Sequence, residues 1–335
     1  MYRAITDISV LESLIGKAPR MMMEKAIDHL DSGAQQWIAY SPIIFLSFGF
    51  GTDNTITIAG GKAGFVKTGD HSMSIPKSMI DNHGLAKVGM ATGSLILLPG
   101  IRETMRVNGV ISRVDDSSIV VEVKECFTHC GKSIIRAEFW SGVAETSGLH
   151  VPEKFAEAGR YLAIATISGD GNADVSPKGD KAGDLAHIKE GALCFADRPG
   201  NKRFDSFRNI LTQPKVSAIM VVPGTSQIMH FSGIASITDD DELRASFEVQ
   251  NKIPLVVTII ENVTTNVFTS GALERAQLWT TKPIEYPFKP SEIMAKQTKL
   301  MKSKGLAERL VKAAASSSPG LLEKGMEHDY KKNLY

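Results

Sequence analysis

Between positions 195 and 209 the chain reads F-A-D-R-P-G-N-K-R-F-D-S-F-R-N, which places Arg198, Lys202, Arg203 and Arg208 close behind an apolar run at 192–195. Cations packed this densely either cover a solvated turn or grip an anion. An ionised phosphate monoester needs several converging donors, and the planar fork of arginine can donate two parallel hydrogen bonds to it. Pro199 and Gly200 bend the chain and let backbone N–H groups approach an anion. Asn201 and Ser206 add neutral donors, while Arg208 is placed to pair with Asp205 or Asp197. Upstream, N-A-D-V-S-P-K-G-D (172–180) reads as a strand ending in a turn, which would bring Lys178 beside the loop.

A second polar group lies earlier. E-T-M-R-V-N-G (103–109) carries Arg106 and Asn108, and F-T-H-C-G-K-S-I-I-R (127–136) carries His129, Cys130, Lys132 and Arg136. A histidine here suits proton transfer near neutral pH or a purely structural hydrogen bond. Cys126, His129 and Cys130 invite a metal reading. On an extended strand, however, alternate side chains face opposite ways, and the sequence offers no second cysteine pair. No metal is expected.

An internal repeat organises the elements that must position these groups. Residues 41–64 align with 160–183, so that Gly60, Lys62, Ala63 and Gly64 meet Gly179, Lys181, Ala182 and Gly183. P-G-I-R-E-T-M-R-V-N-G (99–109) then meets P-G-T-S-Q-I-M-H-F-S-G (223–233). V-V-E-V (120–123) meets I-I-E-N (259–262), and R-A-E-F-W (136–140) meets R-A-Q-L-W (275–279). The blocks hold their order while loop insertions widen the offset. Segments 42–48, 94–98, 216–222 and 254–260 are short and rich in aliphatic or β-branched residues, so they read as strands. Closely spaced strands of this kind build a barrel or a sandwich in each copy.

Helices are expected at 19–30, where Pro19 opens a run of apolar residues, and at 241–251. From Pro290 the pattern turns helical, with Ser291 as cap, Gly305 as stop and a second short helix over 306–315. This tail carries 11 Lys+Arg against 6 Asp+Glu over 281–335. It reads as an amphipathic face docking on the barrels, or as a surface for a partner or membrane. Three units result: 1–149 with leading helices, 150–288, and a helical tail over 289–335.

The 335 residues carry a formal net charge of +1, which argues against nucleic acid as the main partner. The chain shows no apolar run of the roughly 20 residues needed to span a bilayer and no signal-peptide pattern. Its three cysteines are too few for a disulfide framework. A cytoplasmic protein is expected.

D-V-S-P-K-G-D followed by D-R-P-G-N-K-R-F-D-S-F-R-N and N-I-L-T-Q-P (209–214) resembles the pyridoxamine phosphate oxidase-like family of FMN-binding split barrels. The R-V-N-G turn and the 127–136 segment resemble it too, and the likeness spans most of residues 10–280. It implies a mainly β fold with flanking helices (α+β): two tandem split β-barrels forming an intrachain pseudo-dimer, with the cofactor in the groove between them. Ser176, Lys178, Arg198, Asn201, Lys202, Arg203 and Ser206 would hold the FMN phosphate, with Asn108 and Arg136 also on the cofactor. His129, Lys132 and Arg106 would line the reactive end, where cations favour a reduced flavin. Copy one has T-I-A-G-G (57–61) in place of S-P-K-G-D, and copy two has Phe268 and Gly271 in place of His129 and Lys132. Complementary losses of this kind leave one working groove. Ala173 stands where the family's classical oxidases carry arginine, which argues against a vitamin B6 substrate. The resemblance implies an FMN-dependent oxidoreductase acting on a small molecule, with NAD(P)H as candidate donor. The alternative is a non-catalytic flavin, deazaflavin or haem carrier or sensor. A homodimer of the two-barrel chain is compatible with either.

Overall fold

The computed structural model describes residues 2–19, 24–142, 147–200, 203–279, 284–300 and 319–335. The first sheet contains β1 (Ile43–Phe50), β2 (Asp53–Gly60), β3 (Lys67–Gly69), β4 (Ser72–Pro76), β5 (Ala91–Leu97), β6 (Thr104–Val114) and β7 (Ser118–His129), in the antiparallel order β2-β1-β5-β6-β7-β4-β3. The second contains β8 (Tyr161–Ile167), β9 (Ala173–Gly179), β10 (Ala186–Lys189), β11 (Ala192–Ala196), β12 (Lys215–Val221), β13 (Gln227–Thr238) and β14 (Val257–Thr269). Its order, β9-β8-β12-β13-β14-β11-β10, is the first order with every label raised by seven. The sequence repeat is therefore a repeat of topology, and the fold is a mainly β, α+β pair of tandem split barrels.

The repeated glycines explain part of the sparse identity between copies. Gly109 and Gly233 sit beside register shifts in β6–β7 and β13–β14. A β-carbon there would lie 2.0 Å from the Glu122 carbonyl oxygen or 2.5 Å from that of Glu261. Only glycine allows the backbones to approach so closely.

Alternation along β1 and β8 builds three apolar layers. Ile44, Leu46 and Phe48 point into the first barrel beside Trp37 and Ile96. Leu162 and Ile164 point into the second, beside Phe207 and Phe231. The residues between them, Ile43, Phe45, Tyr161, Ala163 and Ala165, meet across the barrel interface. A strand buried on both faces has no polar alternation to show, which is why both segments read as unbroken apolar runs.

The helices are α1 (Ile8–Ile15), α2 (Ser32–Tyr40), α3 (Lys132–Arg136), α4 (Pro152–Ala158), α5 (Asp205–Thr212), α6 (Asp241–Ala245), α7 (Gly271–Ala276), α8 (Pro290–Leu300) and α9 (Pro319–Lys332). α3 and α7 are repeat mates that clasp the two barrels reciprocally. Arg136 Nε donates to the Gly179 carbonyl at 2.9 Å, and Arg275 Nε donates to the Gly60 carbonyl at 3.0 Å. Each arginine thus holds the end of the other barrel's second strand.

Several expected elements shift. Of the helix expected at 19–30, residues 20–23 lie outside the described residues, and the rest does not continue to Leu30. Glu24 is helical, but Ile27 exchanges two backbone hydrogen bonds with Cys126, and Leu30 N–H donates to Asp70, so from Ile27 the segment is tied to the sheet. The helix expected over 241–251 stops at Ala245, and Gln250 and Asn251 take left-handed φ values of 53° and 59° in a turn. α8 begins at Pro290, so Ser291 lies buried in its first turn rather than capping it. The helix expected over 306–315, with its Gly305 stop, lies outside the described residues. The leading helix α1 packs on the second barrel: Leu11 and Ile15 join that core, and Ile5 N–H donates to Ile237 at 2.7 Å. No helix among the described residues is long and apolar enough to cross a membrane.

Candidate functional site

β6, the end of β7 and α3 of the first barrel face β9, the loop after β11 and the start of α5 of the second. One cleft lies between them, lined by Arg106, His129, Lys132 and Arg136 from one side and by Ser176, Lys178, Arg198, Arg203 and Ser206 from the other. Nine of the residues singled out in the sequence therefore converge. Asn108 does not line the cleft; its side-chain amide donates to Glu125 at 3.1 Å on the neighbouring strand. Asn201 and Lys202 lie outside the described residues.

The local chain explains the convergence. β9 alternates, so Asp174, Ser176 and Lys178 share one face. Phe204 takes φ 57°, a left-handed conformation rare for a bulky residue, at the junction where the basic loop ends and α5 begins. Phe127 forms a platform on β7: the Arg203 guanidinium lies 4.2 Å, and that of Arg106 5.7 Å, from its ring centre.

Each cation is engaged. Arg106, 2% exposed in its side chain, donates to Asp174 at 2.8 Å, to Asp205 at 3.0 Å and to Ser176 at 2.7 Å. Arg203 Nε meets Asp205 at 2.8 Å, Lys178 meets Asp197 at 3.0 Å, and Arg198 Nε meets Asp180 at 2.6 Å. Arg208 instead reaches Glu12 of α1 at 3.4 Å. Burial raises the Asp174 carboxyl, partly offset by Arg106. Burial also pushes Asp205 up, but Arg106 and Arg203 outweigh it and hold that carboxyl low. The cleft walls bear six cations, Arg106, Lys132, Arg136, Lys178, Arg198 and Arg203, against three carboxylates, Asp180, Asp197 and Asp205. Asp174 and Asp329 stand behind as partners of Arg106 and Lys132. The surplus of positive charge favours an anion.

His129 is held far below its ordinary pKa by burial, then by the nearby charges of Arg106 and Lys25, so it is neutral at pH 7. In the tautomer that donates from Nδ1 to the Cys130 carbonyl, 3.2 Å away, Nε2 keeps a lone pair. Burial raises the Cys130 thiol, so it is no ready nucleophile. Among the described residues no cluster of three or more metal-ligating side chains occurs.

Two features escaped sequence reasoning. Lys25 donates to the Thr128 carbonyl at 2.7 Å, and burial, with Arg203 next, brings its pKa down to about 7. The C-terminal segment also lies over the cleft. Lys132 meets Asp329 at 2.8 Å, Arg136 donates to the Leu334 carbonyl at 2.8 Å, and the Tyr335 hydroxyl donates to Asp180 at 2.6 Å. Tyr330 anchors the helix before it, accepting from Gly131 N–H at 3.1 Å and donating to Glu103 at 3.0 Å. The acids interleaved with the bases in S-P-K-G-D and D-R-P-G were a visible sign of the ion pairs. Nothing local marked Lys25, and the amphipathic pattern of the tail suggested docking on the barrels without pointing to the cleft.

No protein-family model matches the chain, and no curated protein matches it. Solved structures resemble parts of it. HupZ from Group A Streptococcus is 16% identical, with 36% of this chain and 97% of that one covered and a TM-score of 0.30. A heme storage protein, HutZ from Vibrio cholerae, is 14% identical over 36% of this chain and 94% of its own, with a TM-score of 0.25. A pyridoxamine 5'-phosphate oxidase-related, FMN binding protein from Nostoc punctiforme is 16% identical over 35% of this chain and 78% of its own, with a TM-score of 0.24. Each covers about a third of this chain. Likeness this distant carries no inference about what the chain binds.

Proposed function

We propose that the cleft between the barrels holds flavin mononucleotide and that the chain is an FMN-dependent oxidoreductase acting on a small molecule. One observation carries this reading: cationic and hydroxyl donors from both barrels converge on a single cleft whose walls are net positive. The donor set fits a phosphate monoester, with Lys178, Arg198, Arg203 and Ser206 on the second barrel. The bound flavin would supply the electron-transfer chemistry. Arg106 and Lys132, on the first barrel, would favour negative charge developing at its reactive end. His129, neutral and with one ring nitrogen committed to Cys130, would accept or relay a proton through the other.

Phosphate recognition is tested by comparing FMN with riboflavin. Arg198→Ala/Arg203→Ala is expected to weaken FMN binding at least tenfold while leaving riboflavin little changed. Equal loss of both ligands, or of neither, would remove the phosphate grip from the account. A second reading, a flavin, deazaflavin or haem carrier without turnover, is favoured by the neutral His129, whose free nitrogen lone pair could ligate iron. Bleaching of flavin-loaded protein by NADH or NADPH, with recovery in air, supports the oxidoreductase; failure across a broad donor panel supports the carrier.

A further inference from the structure

The open space of the cleft is about 80 Å³. Sites for nucleotide-sized ligands occupy roughly 300–1,000 Å³. The chain's own segment from Asp329 to Tyr335 contacts residues that line this cleft. It engages Lys132, Arg136 and Asp180 on both walls, and the Tyr335 ring lies 5.5 Å from the Arg198 guanidinium. Beyond it lies a cavity of about 520 Å³ that shares Lys132, Asp197, Arg198, Gly200 and Phe204 with the cleft and has Asp329, Asn333 and Tyr335 in its wall.

We propose that this segment is an autoinhibitory strap, which competes with an anionic ligand for the cleft and lifts when that ligand binds. The strap presents an anion and an acceptor to cations of the first-barrel wall, which would otherwise face an anionic ligand in the cleft. Asp329 neutralises Lys132, and the Leu334 carbonyl takes one guanidinium N–H of Arg136. Tyr335 donates to Asp180, the carboxylate that holds Arg198. Its hold is suited to exchange. The Asp329 side chain is 47% exposed, so water can take over from its side of the pair, and the remaining contacts are single hydrogen bonds and one ring contact. Tyr330, buried and bonded to Glu103 and Gly131, stays as the hinge-side anchor when the following residues move. Withdrawal of the strap would join the cleft to the outer cavity and open a space of ligand size.

The proposal rests on the anion-binding reading of the cleft, and its test separates the two. Asp329→Ala/Tyr335→Ala removes the strap's side-chain contacts to Lys132, Asp180 and Arg198, leaves only the Leu334 carbonyl on Arg136, and spares Tyr330 and every residue placed in the grip. Affinities for FMN and for inorganic pyrophosphate are measured in the intact chain and in this variant. Amide hydrogen exchange is followed over residues 326–335. The variant should bind both anions about tenfold more tightly. In the wild type, saturation with the anion that binds should speed exchange over 331–335. Unchanged affinity for both anions, or strap amides that stay equally protected in the loaded wild type, would overturn the strap and leave FMN binding intact. Tighter pyrophosphate binding in the variant with no FMN binding by either protein would uphold the strap and remove the flavin.

Discussion

Replacing Arg198 with methionine tests whether the basic loop is structural, ligand-binding or both. Arg198 and Asp180 meet at 2.6 Å with side chains only 5% and 1% exposed. Deleting one partner of a buried ion pair costs roughly 3–5 kcal/mol, because the other charge is left without its counterion. Asp180 keeps two neutral donors, Lys181 N–H and the Tyr335 hydroxyl. Arg198→Met should therefore fall near the lower end, about 3 kcal/mol. Asp180→Asn should cost a similar amount, since it strands the guanidinium. Arg198→Met/Asp180→Asn leaves no buried charge and should lie within about 1.5 kcal/mol of wild type. The coupling energy is then at least about 4.5 kcal/mol. Urea unfolding of the ligand-free chain, read at constant m, measures all four corners. A loss below about 1 kcal/mol for Arg198→Met, the size typical of an exposed pair, would refute the reasoning. The same pair opposes ligand binding, because an entering dianion must draw Arg198 away from Asp180. Asp180→Asn should accordingly tighten FMN binding about tenfold.

Other consequences concern pH and the barrel clasp. The pKa of Lys25 is about 7 in the folded chain against an ordinary 10.5. Between those values the unfolded chain holds a proton that the folded chain lacks, so stability should rise with pH across that window. Lys25→Met should flatten this rise, and an unaltered slope in urea midpoints would show that Lys25 stays charged when folded. Arg136→Ala should cost about 2 kcal/mol and Arg275→Ala about half that, because Arg136 is buried while the Arg275 side chain is 37% exposed. Equal losses in thermal unfolding would mean that the clasp is symmetric in energy as well as in geometry.

The repeat was the most legible feature because topology constrains glycines and strand lengths in both copies alike. The barrel pairing was readable only in outline: Phe45 and Leu46 look equally apolar, yet one packs on the other barrel and one fills its own. At the site, the resemblance of the two motifs implied the convergence of Arg106, His129 and Lys178, but not how fully the cations are paired. Asp205 joins Arg106 across 99 residues of chain, and Tyr335 reaches Asp180 across 155. Contacts over such separations leave no periodicity to read. The helix expected at 19–30 does not reach Leu30 for a related reason. Its apolar spacing is compatible with a helix, and only the distant Cys126 decides that Ile27 pairs as a bridge.

The central claim is that a single inter-barrel cleft grips the phosphate end of a flavin nucleotide. Calorimetric titration of the intact chain with FMN measures this most directly. One FMN bound per two-barrel chain is the expected result, since the opposite groove carries Ala59 and Gly271 where the working groove has Lys178 and Lys132. No heat of binding, or saturation at two per chain, would contradict it.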